Sequence, residues 1–265
     1  MSEGEIKLGT SGYSFEDWRG AFYPQDIPKG EMLNFYAGRY KTVEINSTYY
    51  SIPHPAVFYH LSNKTPDDFE FIVKLNKEST HTRKEGVEAF NKVIDSVKYL
   101  SESKKLHGFL AQFPYSFKAN QDNMDYMLKL REKSAEVPFW VEFRNIYWVK
   151  PKVYEFLKAN DIGYCNVDQP ALKGLIPPQD ISTSDIGYVR FHGRNKESWW
   201  GGTVDDRYNY AYVTDEMEEW LDKIRELRKK TSKTYLFFNN CHLGNAVKNA
   251  EMMQELLKNQ MGIEI

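Results

Sequence analysis

The chain has 265 residues, and its 35 basic and 37 acidic side chains leave a formal net charge of −2. This balance excludes a uniformly cationic surface for polyanions, and the length accommodates one large α/β barrel or two ordinary domains. Two cysteines, Cys165 and Cys241, are too few for a disulfide framework or a zinc finger. No apolar run reaches the roughly 18 residues of a membrane span, and the N-terminal MSEGEIKLG lacks a signal-peptide core. We therefore expect a cytoplasmic protein without a membrane partner.

Strand-like and helix-like segments alternate along the chain. The strand pattern occurs at residues 6–10, 42–46, 69–75, 108–113, 138–145, 163–168, 187–192 and 235–240. Helical spacing of apolar residues predicts helices at residues 31–40, 57–63, 87–103, 124–134, 152–159, 216–230 and 246–259. No linker or change of composition interrupts the alternation. The sequence therefore predicts an α/β fold, a single (β/α)8 TIM barrel in which residues 1–265 form one domain.

An open, doubly wound sheet is the alternative fold. Such a sheet would carry a glycine-rich phosphate-binding turn after its first strand. The sequence GTSGYS at that position matches G-x-G-x-x-G poorly and does not lead into a helix. The barrel is therefore the favoured fold.

Polar side chains end every predicted strand from the second to the eighth. In segment 138–145, PFWVEFRN, a period of two places Trp140, Glu142 and Arg144 on one face of the strand. A buried charge without a partner costs several kcal/mol, so these side chains need partners or a function. The full set of polar strand-end residues is Glu44, Asn46, Lys74, Gln112, Glu142, Arg144, Asp168, Arg190, His192, Asn239 and Asn240. A TIM barrel would bring them together at its C-terminal face, where its active sites lie.

Four of these residues are candidates for catalysis: Glu44, Lys74, Glu142 and His192. Histidine, with an ordinary pKa of about 6.5, suits proton transfer at neutral pH, and either glutamate could be the complementary carboxylate. Lys74 could act as a base, an electrophile or a Schiff-base amine, although a salt bridge is the commoner use of such a lysine. The substrate-binding candidates are Asn46, Tyr49, Gln112, Arg144, Asp168, Arg190, Trp199, Asn239 and Asn240. The two arginines among them could hold a carboxylate or a phosphate.

The same charges could instead neutralise one another. Glu44 could pair with Lys74, and Asp168 with Arg144 or Arg190, in a network that only caps the barrel. In a third interpretation, Glu142, Asp168 and His192 would hold a divalent cation. The nearby arginines and the absence of H-x-H or H-E-x-x-H spacing disfavour a metal, and the sequence identifies no cofactor.

Aromatic residues are frequent after three of the strands: Tyr13, Phe15, Trp18, Phe22, Tyr23, Tyr49, Tyr50, Trp199 and Trp200. Such rings could stack on a sugar or a base, or pack as a satellite core over the barrel. Two successive indoles cannot both point inward, so we expect Trp199 and Trp200 to differ in exposure.

Three functions are compatible with this pattern. The first is an enzyme that acts by general acid–base chemistry on a small anionic substrate, phosphorylated or carboxylated, with carbohydrate-like molecules among the candidates; the pattern does not distinguish a hydrolase, a lyase and an isomerase. The second is a nucleic-acid binding or processing protein that stacks bases on the aromatic residues and holds phosphates with the arginines. The third is a non-catalytic binding module. The oligomeric state is open.

A series of motifs resembles one known family. They are LGTSGYSFEDWRGAFYP, TVEINSTYY, FIVKLN followed by His81, AQFP, VEFRN, YVRFHG, and FFNN followed by a helix. In this order they are similar to the domain of unknown function 72 family, the YecE-like proteins, over almost the whole chain. Tyr13 stands where such proteins commonly have tryptophan. The resemblance implies a TIM barrel, but it implies no activity and no catalytic residues.

Overall fold

A cylinder of parallel β-strands forms the centre of the protein. The computed structural model describes residues 3–265, except for the side chains of residues 204 and 205. Within that range the strands are β1 (Glu5–Thr10), β2 (Thr42–Ile45), β3 (Glu70–Lys74), β4 (Leu106–Gln112), β5 (Phe139–Glu142), β6 (Gly163–Asp168), β7 (Ile186–Phe191) and β8 (Lys233–Phe238). Their order in the sheet is β1-β8-β7-β6-β5-β4-β3-β2, with every paired neighbour parallel.

The two edges of this sheet meet just beyond β1. Ser11 forms a parallel bridge with Glu44, and the N–H of Gly12 donates to the carbonyl oxygen of Glu44 at 2.8 Å. This seam nearly closes the sheet into a cylinder. The prediction of a single (β/α)8 TIM barrel is confirmed.

Helices cover the outside of the barrel. They are α1 (Met32–Ala37), α2 (Ser47–Tyr50), α3 (Pro55–Asn63), α4 (Gly86–Ser96), α5 (Lys98–Glu102), α6 (Gln121–Ser134), α7 (Pro151–Ala159), α8 (Val204–Tyr208), α9 (Thr214–Glu218), α10 (Leu221–Lys230) and α11 (Asn245–Met261). A π-helical turn, Glu78–Thr82, follows β3. In residues 3–265 no helix combines the length and the apolar character that crossing a membrane requires.

Two helices predicted as continuous are each divided in the structure. The predicted helix at 87–103 breaks at Val97, whose ψ of 8° lies outside the helical range. Its apolar period continues across the break because Val97 and Leu100 are both buried. The predicted helix at 216–230 breaks between α9 and α10 at Trp220, whose indole N–H donates to Asp168 Oδ2 at 2.8 Å. The spacing of apolar residues indicates which side chains are buried, so it does not reveal where one helix ends and the next begins in a new direction.

A single tryptophan fills much of the barrel interior below its C-terminal end. The indole of Trp140, on β5, lies 5.0 Å from the ring of Tyr188 and 5.9 Å from that of Tyr235, between centroids. Gly108 on β4 and Gly163 on β6 leave the space that the indole occupies, because a Cβ atom at either position would overlap it. The interior around Trp140 is a packed core, and a cavity opens above it.

A charged cluster closes the N-terminal end of the barrel. Glu70, at the start of β3, accepts from Lys233 Nζ at 2.7 Å and from the hydroxyl of Tyr235. Lys7 Nζ lies 3.7 Å from the same carboxylate. Each charge in this cluster has a partner of opposite sign, as expected for a structural end of a barrel.

Candidate active site

Two carboxylates and two guanidinium groups form a buried network near the C-terminal ends of the strands. Arg190, on β7, donates from Nη1 to Glu142 Oε2 and from Nη2 to Glu44 Oε1, both at 2.6 Å. Arg144 Nη2 lies 2.7 Å from Glu142 Oε1. The second oxygen of Glu44 accepts from the hydroxyl of Tyr188 at 2.6 Å. The two negative and two positive charges therefore neutralise each other. Below, "the buried network" means Glu44, Glu142, Arg144, Arg190 and His192.

Glu142 is the centre of this network. Its burial favours the protonated acid, but Arg144 and Arg190 outweigh that effect and hold the pKa of Glu142 well below its usual value. The carboxylate is fully buried and accepts from Arg144, Arg190 and His192, with the thiol of Cys165 as a longer contact. Glu142 therefore stays ionised at neutral pH and acts as the common anion of the network.

His192 is a neutral part of the same network. Its Nε2 lies 3.1 Å from Glu142 Oε1, and its Nδ1 lies 3.0 Å from Asn239 Nδ2. Since a carboxylate accepts and an amide nitrogen donates, the neutral tautomer with its proton on Nε2 satisfies both contacts. Burial, followed by the charge of Arg144, lowers the pKa of His192 to about 3. The expected role of His192 in proton transfer is not supported, because this ring is buried and does not titrate near neutral pH.

Lys74, at the end of β3, differs from the paired charges of the buried network. Its side chain forms no ion pair with a carboxylate of residues 3–265, and Nζ lies 4.6 Å from the centre of the Tyr49 ring. Burial, followed by repulsion from Arg190, lowers the pKa of Lys74 to about 7. The expected pairing of Lys74 with Glu44 is not formed, because the oxygens of Glu44 are occupied by Arg190 and Tyr188.

A cavity of about 780 Å³ opens above the buried network, a size typical of small-molecule sites. Seven of the predicted site residues line it: Asn46, Tyr49, Lys74, Gln112, Arg144, Trp199 and Asn239. Of the four catalytic candidates, only Lys74 reaches the cavity. Glu44, Glu142, Arg190 and His192 are almost completely buried and do not line the cavity. Arg190 therefore contributes to the network, and a direct contact of its guanidinium with a ligand stays a prediction.

Two predicted residues point to the outer side of the barrel. On β6, Cys165 faces Glu142 in the interior, so Asp168, three residues on, faces outward. Asp168 accepts from Arg194, from the hydroxyl of Tyr212 at 2.6 Å and from the indole of Trp220. It pairs with neither Arg144 nor Arg190, contrary to expectation. Asn240 likewise faces outward and donates to Tyr210 O and Asn249 Oδ1.

The candidate metal ligands do not converge. Glu142 is held by arginines inside the barrel, and Asp168 is held by Arg194 outside it. Among residues 3–265, no three or more His, Cys, Asp or Glu side chains are arranged to hold a metal ion.

The cavity carries an excess of positive charge. The guanidinium groups of Arg144 and Arg207 lie 5.3 and 5.7 Å from the ring centre of Trp199. Arg207, on α8, has no ion-pair partner in the part of the chain that the structure describes, and its buried Nε has no hydrogen-bond partner there. The acid in the lining, Asp17, accepts from the N–H of Leu243 at 2.6 Å. Neither Lys74 nor Arg207 forms an ion pair with a side chain that the structure describes.

The aromatic residues divide between the core and the cavity. Trp199 is 3% exposed and Trp200 is 56% exposed, which confirms that the two successive indoles point in different directions. After β1, Phe15 lines the cavity, whereas Trp18 and Tyr23 are buried in the core. Most of the first aromatic loop is therefore a satellite core.

Sequence reasoning assigned no role to several residues that line the cavity, among them Ser11, Asp17, His81, Arg207, Tyr208 and His242. His81 lies on the π-helical turn after β3, and burial, followed by the charge of Lys74, lowers its pKa to about 4. Arg207 and Tyr208 lie on α8, whose first turn is capped reciprocally by Thr203 and Asp206. That T-x-x-D spacing was a signal for this helix.

The fold and the cavity define a (β/α)8 barrel with a polar, cationic pocket at the C-terminal face, the position of active sites in such barrels. The family model described as "Protein of unknown function DUF72" matches residues 7–264, and the chain belongs to that family. This confirms the resemblance seen in the motifs.

Relatives match the chain over nearly its whole length. The UPF0759 protein YunF of Bacillus subtilis is 31% identical over an alignment of 270 positions, which covers 95% of this chain and 94% of YunF. The crystal structure of a DUF72 family protein from Thermotoga maritima is 38% identical, covers 96% of this chain and 100% of its own, and has a TM-score of 0.88. A DUF72 family protein from Enterococcus faecalis is 26% identical with a TM-score of 0.82, covering 97% and 99%. These descriptions give no activity.

Proposed function

We propose that this protein is an enzyme that acts on a small anionic molecule and that Lys74 is its proton-transferring group. The observation that carries the proposal is the state of Lys74: it faces the cavity without a counterion, above a network that is already neutral. A lysine used only for structure would have an acid or carbonyl oxygens as partners, as Lys233 and Lys105 do. With a pKa of about 7, Lys74 can both accept and donate a proton at neutral pH.

The charge of the cavity favours an anionic substrate. Arg207 and Arg144 both pack against the indole of Trp199, which lines the cavity. Guanidinium donors suit the oxygens of a carboxylate or phosphate. Asn46 adds a buried Oδ1 without a hydrogen-bond partner in the described chain, which could accept from a substrate hydroxyl. An anion would therefore neutralise Arg207 and Lys74, two cations at the cavity for which the described side chains provide no ion pair.

The buried network would serve as the fixed electrostatic support for Lys74. Glu44 and Glu142 favour its charged form, while Arg190 and Arg144 oppose it. Since these side chains are held by short hydrogen bonds, the balance is set by the fold and does not require reorganisation during the reaction.

A thermal-shift screen tests the proposal, with sugar phosphates, organic acids, nucleotides and single-stranded oligonucleotides as ligands. A ligand at about 100 times its Kd should stabilise the protein by about 2.7 kcal/mol. We expect small anions to raise Tm in the wild type and not in Arg207→Met, whereas the exposed control Arg225→Met should keep the shift. A hit should also be converted, as followed by NMR, and Lys74→Met should bind it without conversion.

Three results would contradict the proposal. Ligand binding that survives Arg207→Met would place the anion elsewhere. Binding without conversion by the wild type would make the protein a binding module. A response restricted to oligonucleotides, weakening steeply with salt, would favour the nucleic-acid alternative.

A further inference from the structure

Lys74 combines three features that a simple anion-binding lysine does not need. Its amine is partly removed from water, it stands beside Arg190 without a paired acid, and it still opens into the cavity. An anion-binding lysine works best when it is charged, but this environment opposes the charge. The arrangement is the one that activates a lysine as a nucleophile, by desolvation next to a second cationic group.

We propose that Lys74 forms an imine with the carbonyl group of a substrate that also carries a carboxylate or phosphate, with Arg207 and Arg144 holding that anionic group. This inference rests on the proposed function and names its substrate class. It accounts for both unpaired cations at once: Arg207 binds the charged end of the molecule, and Lys74 meets the reactive end. Tyr49 interacts with both cations: its ring packs against Lys74 Nζ, and the charge of Arg207 acts on the pKa of its hydroxyl.

The covalent step balances without a further reagent. The lone pair of the neutral Nζ attacks the carbonyl carbon, a C–N bond forms, and the carbonyl electron pair moves to oxygen. Proton transfer from nitrogen to oxygen gives a carbinolamine, whose hydroxyl takes up one more proton and leaves as water. The product is a protonated imine, so one amine, one carbonyl and one proton give one iminium ion and one water.

The anionic group of the substrate stabilises this iminium ion in the site. The ion carries a positive charge where the fold opposes one, and the carboxylate or phosphate of the same molecule supplies the counterion. The groups that act on the charge of Lys74 come from every neighbouring element: Glu44 on β2, Glu142 and Arg144 at the end of β5, Arg190 on β7, Tyr49 on α2 and His81 on the π-helical turn. Glu142 stays ionised, and His81 stays neutral, across the neutral range in which Lys74 titrates.

Reductive trapping of the full-length chain tests this inference. The protein is incubated with glyoxylate or dihydroxyacetone phosphate and sodium cyanoborohydride, and the adduct is located by peptide mass spectrometry. Glycolate and glycerol 3-phosphate, which have the same charge but no carbonyl, are the matched compounds. We expect one adduct, on Lys74. The mass added to the peptide should equal that of the carbonyl compound less one oxygen atom. Its rate should rise with pH up to about 7 and then level off.

Variants and controls complete the experiment. The adduct should be lost in Lys74→Met and kept in Lys77→Met, which changes an exposed lysine three residues away. It should fall in Arg207→Met, because the anion is then held less well. Mapping on the wild type alone identifies the modified lysine, so the result does not depend on the folding of a variant.

The outcomes separate this inference from the proposed function. If glycolate or glycerol 3-phosphate raises Tm but neither carbonyl probe modifies Lys74 preferentially, the anion site stands and the imine is overturned. Equal modification of Lys74 and exposed lysines also overturns it, because ordinary surface chemistry would then explain the adduct. If Lys74 is trapped but Arg207→Met has no effect, the assignment of the anionic end to Arg207 is overturned.

Discussion

Two lysines of this barrel are withdrawn from the surface, and their surroundings give them different roles. Lys105 Nζ donates to the carbonyl oxygens of Ser62 and Thr65, at 2.7 and 2.8 Å, and is 4% exposed. Lys74 has no such acceptors in residues 3–265 and instead faces a cavity. A buried charge that is satisfied stabilises its surroundings, whereas one left unsatisfied is costly and is retained for another reason.

That cost gives the first prediction, at Lys74 itself. The folded-state pKa of about 7 lies below the ordinary value of 10.5, so the unfolded chain binds more protons between these values. Wild-type stability should therefore rise with pH across this window, and the penalty is complete below it. We expect Lys74→Met to stabilise the fold at pH 7 by about 2–4 kcal/mol, discounted because the side chain is partly exposed. The gain should shrink as the pH approaches 10.

Urea unfolding at a series of pH values measures this effect. The exposed control Lys77→Met should change stability by less than about 0.5 kcal/mol at each pH. A loss of stability in Lys74→Met at every pH would mean that Lys74 acts as a structural counterion of Glu44 or Glu142.

The second prediction concerns the carboxylate that holds the buried network together. Glu142→Gln keeps the size of the side chain but leaves Arg144 and Arg190 without their common anion. We expect a loss of about 3–5 kcal/mol at pH 7, the usual cost of breaking a buried ion pair on one side. Because the pKa of Glu142 is lowered, its contribution is complete at neutral pH and is lost only as the pH falls through that lowered value.

Glu219→Gln is the matched control, since Glu219 also pairs with an arginine, Arg194, but is largely exposed. We expect it to change the free energy of unfolding by no more than about 1 kcal/mol. Similar losses in the two variants, measured by urea unfolding at pH 7, would show that the network does not depend on Glu142.

The alternation of side chains between the inner and outer faces of each strand explains which site residues the sequence could predict. On β5 the alternation of Trp140, Glu142 and Arg144 correctly indicated one inward face, because the charges and the indole mark it. On β6 all six residues are buried, so neither face carries a hydrophobic signature and Asp168 was assigned to the wrong side. Strands of a parallel barrel are covered on both faces, so hydrophobicity does not indicate which face points into the barrel.

Residues outside the strands were harder to predict for a different reason. Arg207 lies in the segment after β7, and it reaches the cavity only because α8 turns back over the barrel mouth. The position of such a segment depends on tertiary packing, which local spacing does not encode. The strands therefore located the site, while one of the two unpaired cations was found only in the structure.

The third prediction tests how tightly neighbouring strands fit around Trp140. Gly108→Ala would place a Cβ atom within the indole, and the indole cannot easily move because its N–H donates to Ile186 O at 3.0 Å. Overpacking of this kind costs about 1–3 kcal/mol or more. Gly201→Ala, where the added Cβ meets open space, is the control and should leave Tm almost unchanged. Equal melting temperatures in the two variants would mean that the barrel interior is loosely packed.

Over the whole molecule, the two ends of the barrel differ in how their charges are satisfied. At the N-terminal end, Glu70 is surrounded by Lys7, Lys233 and the Tyr235 hydroxyl. At the C-terminal end, the buried network is neutral, but Lys74 and Arg207 remain above it. The first end is arranged for stability, and the second has charges available for a ligand. This asymmetry supports the proposed site more strongly than any one residue does.

The loops that follow the paired strands β1 and β8 are held together by hydrogen bonds, which leads to the fourth prediction. The indole of Trp18 donates to Cys241 O at 2.7 Å, and the N–H of Leu243 donates to Asp17. If residues 1–265 form one domain, Trp18→Phe should weaken the entire fold. We expect a loss of about 1–3 kcal/mol, from one buried hydrogen bond and reduced packing.

Far-UV circular dichroism and tryptophan fluorescence should report one common urea midpoint, shifted equally in the variant. Separate midpoints, with only one of them moved by Trp18→Phe, would mean that the barrel unfolds in parts and that the contact between the loops after β1 and β8 is a boundary.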